Sequence, residues 1–349
     1  MTRDPGNPRR RPTMGEVARA AGVSPMSVSY TYSQPGRVSA ETAAKVRDAA
    51  RQLGYPGPHP AARSLRRGRV GSLGVVLGER LSYAFDDPQA ARFLAGVSDV
   101  CAAEGVGLTL VPVTGAATDA QRVAQAAVDG FVVWTTSDDD PILDAVTGTG
   151  LPAIIHAGPE RPGLPAIGVD DRAAAVAIGR AAFAGARRPV VLGFPLDRGR
   201  ARQLIGGDRA GEIRYHVTRR RWAGFLEAWG RAPADLRLAA CPLNHVTEGE
   251  SFAAELFRGD DPPDAIAAMS DELALGALRA AASAGLRVPA DVAVTGWDDT
   301  DAAAPAGLTT VAQSLRDQGA DCARAALGRP TRASHRDAWR VVTRTSTRV

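Results

Sequence analysis

The sequence predicts an all-α helix-turn-helix head joined to an α/β body of two doubly wound parallel-sheet subdomains. Three observations lead there. Residues 13–54 read as three short helices separated by tight breaks. Three prolines, Pro56, Pro58 and Pro60, then forbid a continuing helix. From Val70 onward, continuous apolar runs alternate with helix-period segments, the pattern of parallel sheets covered on both faces.

In the head, Thr13 and Glu16 are spaced as a capping box, and Val17, Ala18 and Ala21 form one apolar face. Gly22 stops this helix cheaply in the left-handed conformation. Ser24 caps a second helix with Pro25 at its first position, running to about Ser33. Pro35-Gly36 breaks the chain again. Ser39 caps a third helix, whose Ala43, Val46, Ala49, Ala50 and Leu53 form a stripe ending at Gly54. The second helix carries Ser27, Ser29, Tyr30, Thr31 and Tyr32 and no acid. Hydroxyls suit phosphate oxygens and base edges. On these features alone, the module binds either DNA or protein.

The charge is uneven. Residues 1–69 hold 13 basic and four acidic residues, a net +9 on a chain whose total is +4, so the remainder carries −5. A basic head on an acidic body is the footprint of a nucleic-acid binder with a separate second function. The 349 residues, 45% hydrophobic, suffice for a small module and a body of about 280 residues. Cys101, Cys241 and Cys322 are few and far apart, which suits a reducing cytoplasm and no metal or disulfide spacing. Arg9-Arg10-Arg11 precedes no apolar stretch of a signal peptide, and no run is long enough to span a membrane. Residues 1–12 read as a disordered leader, 13–57 as the head, 58–69 as a linker and 70–349 as the body.

The body opens with a strand at Val70–Leu77. Helices at 88–104, 119–128 and 141–149 alternate with strands at 108–113, 130–134 and 153–155. After Val169-Asp170-Asp171 the pattern restarts. Helices fall at 172–185, 218–230, 247–258 and 271–284, with strands at 189–194, 236–240, 264–269 and 291–296. Two α/β series imply two subdomains with a cleft, and ligands bind such sheets at the carboxyl ends of their strands. Residues 197–217 are long and polar and read as a mobile loop.

The head resembles the DNA-binding domain of the LacI/GalR family of transcriptional regulators. The resemblance rests on Ala18-Arg19-Ala20-Ala21-Gly22-Val23-Ser24, then Ser27-Val28-Ser29, Val38-Ser39, Thr42 and Leu53-Gly54-Tyr55. It implies that Pro25, Met26 and Tyr30 read bases, with Ser27 beside them. It implies phosphate contacts for Thr13, Ser24, Ser29, Ser33, Arg37, Ser39 and Thr42. Many members carry Arg where this chain has Tyr30, so their guanine contact does not carry over. The linker resembles the family's hinge segment, with Leu65 at the leucine that wedges into the minor groove. The body resembles the family's effector-binding body, similar to a periplasmic sugar-binding protein. Its matches are Val169-Asp170-Asp171, the run Ser270–Gly276, Val288-Pro289, Gly296-Trp297-Asp298-Asp299 and Leu308–Gln313.

The resemblance implies a dimer on a near-palindromic operator, released or engaged by a small molecule in the cleft, most simply a sugar. Arg221 and Asp298 match effector-binding positions. Ser270, Asp271 and Gln313 lie at comparable strand ends, and Trp134, Trp297, Tyr83 and Phe85 are candidate stacking walls for a sugar. Alternatives stay open. Arg221 is also one of three successive arginines, and Asp271, like Asp170 and Asp171, is placed to cap a helix. A regulator of a non-sugar metabolite and a sugar-binding transport protein are the competing functions. The chain has no Walker loop, nucleophile elbow or dinucleotide fingerprint. Asp138-Asp139-Asp140 and Asp298–Asp301 lack calcium-loop spacing. No enzyme activity, cofactor or metal is expected.

Overall fold

The structure is a computed structural model describing residues 12–57, 69–78, 85–332 and 334–348. The leader to Arg11, most of the hinge segment with Leu65, and Tyr83 lie outside the described residues. The chain divides into two compact units, Met1–Val70 and Gly71–Val349.

The first unit holds α1 (Met14–Ala21), α2 (Pro25–Ser33) and α3 (Ala40–Leu53). Local chemistry sets each boundary. Thr13 and Glu16 form both bonds of the capping box, and Ser24 and Ser39 accept from backbone N–H groups three residues on. Gly22 and Gly54 end α1 and α3 at φ 65° and 66°. Val17, Ala18, Val28, Val46, Ala49 and Ala50 make the small core. Leu53, expected in that stripe, is exposed, because the core closes against Tyr55 beyond the cap.

In the second unit, β1 (Ser72–Leu77), α4 (Pro88–Glu104), β2 (Gly107–Val111), α5 (Asp119–Gln125), β3 (Phe131–Trp134), α6 (Pro141–Gly148), β4 (Ala153–His156) and β5 (Ala166–Ile167) build a parallel sheet in the order β2-β1-β3-β4-β5. The series restarts with α7 (Asp171–Ala182), β6 (Pro189–Gly193), β7 (Gln203–Gly206), α8 (His216–Trp229), β8 (Arg237–Ala240), α9 (Val246–Arg258), β9 (Ala265–Ala268), α10 (Asp271–Ser283) and β10 (Ala293–Thr295). These strands form the order β10-β9-β6-β8-β7. The chain closes with β11 (Thr310–Gln313), α11 (Leu315–Ala326) and β12 (Trp339–Val342), where β11 and β12 pair antiparallel.

Two expectations are corrected. Residues 197–217 are not simply a loop. They contain β7, which pairs antiparallel with β8, then a 3-10 turn at Gly207–Glu212 and the start of α8. The second sheet is therefore parallel except at this edge. The two series are also not simply successive. After β10, the chain returns to the first sheet, where Leu315, Cys322, Ala323 and Ala326 of α11 pack with Leu73, Val75, Phe93 and Val97. The second sheet is likewise covered on both faces, by α7 and α8 on one side and α9 and α10 on the other. All three cysteines are free and buried, and burial pushes the Cys241 thiol up to about 12.

The helix pairs α4–α11, α7–α8 and α9–α10 share one device. Each crosses through small residues. A Cβ on Gly96 would overlap the Arg316 carbonyl, and one on Gly319 would overlap that of Phe93. Gly224 meets the Arg172 carbonyl in the second pair, and Gly249 and Gly276 meet Leu273 and Val246 in the third. Overpacking of this kind costs about 1–3 kcal/mol. Gly319→Ala is therefore expected to lower the melting temperature clearly. An unchanged thermal transition would refute the close crossing.

Candidate functional site

The head presents one surface at the start of α2. Met26 is exposed, Pro25 and Ser24 are exposed beside it, and Ser27 and Tyr30 are half-buried. Arg37 donates to the Tyr30 hydroxyl at 3.3 Å, and its guanidinium lies 5.2 Å from the ring centroid. Tyr30 is thus held by its neighbour rather than free to swing. Thr13, Arg37 and Ser39 are exposed, and Ser33 and Thr42 are partly so. Ser29 departs from expectation. At 5% exposed it belongs to the buried face, because α2 turns Val28, Ser29 and Thr31 towards the other helices. Thr31 and Ser33 spend their hydroxyls on the carbonyls of Ser27 and Ser29, at 2.8 Å each.

The body holds a cavity of about 90 Å³ at the carboxyl ends of both sheets. Trp134 and His156 end β3 and β4 and stack at 4.9 Å and 15° on one wall, with Phe93 edge-on behind. Phe194, Tyr215 and Val217 add apolar surface from the second subdomain. Asp87 and Asn244 meet across the cleft, the Asn244 amide donating at 3.3 Å, while Ser270 donates to the same side chain's oxygen.

Arg221 on α8 is 6% exposed. Its Nε donates to Asp171 at 2.8 Å, its Nη1 donates to the Met269 carbonyl, and its guanidinium lies 3.9 Å from the centroid of Trp297. Asp298 follows β10 with φ 112°, a strained value for a non-glycine residue of the kind that clusters at functional sites. Burial pushes its carboxyl well above the usual range, against the opposing pull of Arg221. Gln313 donates to Asp298 at 2.8 Å. Burial also holds the His156 imidazole down at about 4, so it is neutral near pH 7.

Arg221, Asp298, Gln313 and Trp134 therefore come together around one cavity. Four other candidates do not line it. Trp297 is fully buried, backing Arg221 from within the core. Ser270 caps α10 and acts on the cavity only through Asn244. Asp271 binds the Thr300 N–H at 2.7 Å and the Thr310 hydroxyl at 2.6 Å, and burial raises its carboxyl to about 6. It ties the strand ends together. Phe85 is 62% exposed and outside the cavity lining. Sequence reasoning missed His156, Gln318, Asn244, Asp87 and Gln89. Isolated polar residues carry no spacing signal, and only the fold assembles them. No cluster able to hold a metal ion occurs among the described residues.

The pattern described as bacterial regulatory proteins, lacI family, matches residues 13–57, and that of a periplasmic binding protein-like domain matches 196–347. The transcriptional regulator IpsA of Corynebacterium glutamicum is 36% identical over 317 residues, covering 88% of each chain. The chain belongs to the LacI family of bacterial regulatory proteins. A second relative of this LacI-family protein, the transcriptional regulator Rv3575c of Mycobacterium tuberculosis, is also 36% identical, covering 89% of each chain. A solved LacI-family regulator from Corynebacterium glutamicum superposes with a TM-score of 0.72 at 29% identity, covering 97% of this chain and all of that one. The lac repressor dimer bound to operator and the anti-inducer ONPF shares the fold, with a TM-score of 0.74 at 22% identity, over 97% of this chain and all of that one. The protein is a DNA-binding transcriptional regulator with a helical head and an α/β body, and by name its relatives are regulators rather than enzymes.

Proposed function

We propose that this regulator is a cytoplasmic repressor that binds a near-palindromic operator as a dimer and is controlled by a neutral, polyhydroxylated effector, most simply a sugar, in the cavity of the body. One observation carries the effector reading. Three neutral polar atoms, Gln89 Nε2, Thr135 Oγ1 and His156 Nδ1, are buried on cavity-lining residues and lack partners among the described residues. Buried polar atoms are nearly always paired, so hydroxyls of a ligand or water entering the cavity would satisfy these three. The charged lining argues against a phosphorylated ligand. Among the described lining residues, Asp87, Asp171 and Asp298 face only Arg200 and Arg221, and Arg221 is already committed to Asp171. A phosphate would need uncommitted cations or helix N-terminal amides. The complex of the regulator CelR with cellobiose shares this fold at a TM-score of 0.61 and lends support.

In operation, α2 of each head enters the major groove, and two-fold symmetry of the pair is mirrored in the operator. The effector prefers one arrangement of the two subdomains, and only that differential affinity shifts operator binding. Residues 58–69 act as the hinge, with Leu65 as the minor-groove wedge. Leu65→Ala is expected to cut operator affinity far more than affinity for random duplex; equal losses would remove the wedge. The effector reading is tested by tryptophan fluorescence against a panel of unphosphorylated and phosphorylated sugars. A response from neutral sugars only, lost in Trp134→Phe, is expected. A response from the phosphorylated set alone would overturn it.

A further inference from the structure

Inside the cavity, four side chains form a single-file chain of hydrogen bonds. His156 Nε2 lies 2.9 Å from Gln318 Oε1. Gln318 Nε2 donates to Gln313 Oε1 at 3.1 Å, and Gln313 Nε2 donates to Asp298 Oδ1 at 2.8 Å. His156 and Gln318 belong to the first sheet and its covering helix, and Asp298 to the end of the second. The chain therefore spans both subdomains through the segment that joins β11 to α11.

The polarity of this chain follows from its last member. Asp298 accepts at Oδ1, as a carboxylate or the carbonyl oxygen of a neutral carboxyl does, and Gln313 turns its amide nitrogen towards it. Gln313 then offers its oxygen to Gln318, which must turn its own nitrogen to meet it. Gln318 is left with its oxygen facing the imidazole. Two oxygen or nitrogen acceptors face to face would repel, so the ring nitrogen at that end must carry the proton. The neutral ring has only one proton to place. Its other nitrogen, Nδ1, is left with a bare lone pair, buried and without a partner among the described residues.

We propose that Gln318 is a positioning residue that locks His156 as its Nε2–H tautomer, so that Nδ1 is a pure acceptor subsite for one O–H or N–H donor of the effector. This rests on the cavity being the effector site. The subsite selects by hydrogen-bond sense: it takes a hydroxyl or amine and rejects an ether or carbonyl oxygen at the same place. Burial, which keeps the ring neutral, and the stacked Trp134, which fixes its plane, both support the role. Through Gln313, the same chain makes the tautomer depend on the Asp298 carboxyl oxygen in the other subdomain.

The test uses the full-length, ligand-free protein labelled with ¹⁵N-histidine near neutral pH. Long-range proton–nitrogen spectra report the tautomer, and loss of one set of signals in His156→Asn assigns it among the five histidines. The expected wild-type result is an unprotonated, pyridine-type Nδ1 and a protonated Nε2. Gln318→Met is expected to release the ring into a mixture. Gln313→Met, which touches neither ring nitrogen in the chain described, is expected to shift the balance in the same direction. A wild-type Nδ1–H ring or an imidazolium would overturn the proposal, as would an unchanged tautomer in both variants. Because no ligand is added, a failed sugar panel with the Nε2–H tautomer intact would overturn the effector reading alone.

Discussion

Arg221→Ala is expected to abolish the effector response and to destabilise the body by about 3–5 kcal/mol, the cost of breaking a buried ion pair by removing one partner. The size follows from what is left behind. Arg221 and Asp171 have side chains only 8% and 6% exposed. Without the guanidinium, the Asp171 carboxylate stays buried, and the Met269 carbonyl loses a donor. The face of Trp297 loses the cation it carries. Adding Asp171→Asn removes the stranded charge, so the double variant is expected to recover much of the stability. It is not expected to recover the response. Chemical denaturation separates the first effect from the second, and operator release in the presence of effector measures the second. A double variant that regained its response would show that Arg221 serves only as a structural partner.

Operator affinity is expected to fall by about 10³–10⁵ between roughly 50 and 200 mM salt, as neutralisation of six to ten phosphates requires. The basic residues are concentrated where this demands them, with a net +9 on residues 1–69. Within the described head, Lys45 pairs with Glu41 and Arg51 with Asp48, both within one helix and both exposed. Exposed pairs of this kind are weak and easily exchanged for phosphate. Affinity measured across a salt series checks the slope, and a flat dependence would contradict a phosphate-gripping head. Tyr30 refines the picture. If Tyr30 reads bases, then, paired with Arg37, it is expected to offer an aromatic edge and a hydroxyl rather than the two donors with which an arginine reads guanine.

The head was legible because its determinants are local. Thr13, Ser24 and Ser39 cap within three residues of themselves, and Gly22 and Gly54 stop their helices in place. The central strands were equally plain, since burial on both faces demands unbroken apolar runs such as Val190-Val191-Leu192. Strand β7 was hidden because it sits at an edge, with Leu204 exposed and arginines and glycines around it. Trp297 misled for a simple reason. It stands next to Asp298 in the sequence, but its ring is buried in the core while Asp298 lines the cavity. His156, Gln318 and Asn244 come from separate parts of the chain and meet only through topology. The burial of Ser29 was not legible because the motif names a residue type, while the helix phase decides which way it faces.

The late return of α11 bears on how the protein is made. As the polypeptide emerges from the ribosome, all five strands of the first sheet are available early. One face of that sheet nevertheless waits for Leu315, Cys322 and Ala323, which are translated after the whole second sheet. The half that is synthesised first is therefore completed last, and a transcript cut before α11 would release a chain with an uncovered apolar flank rather than a working half.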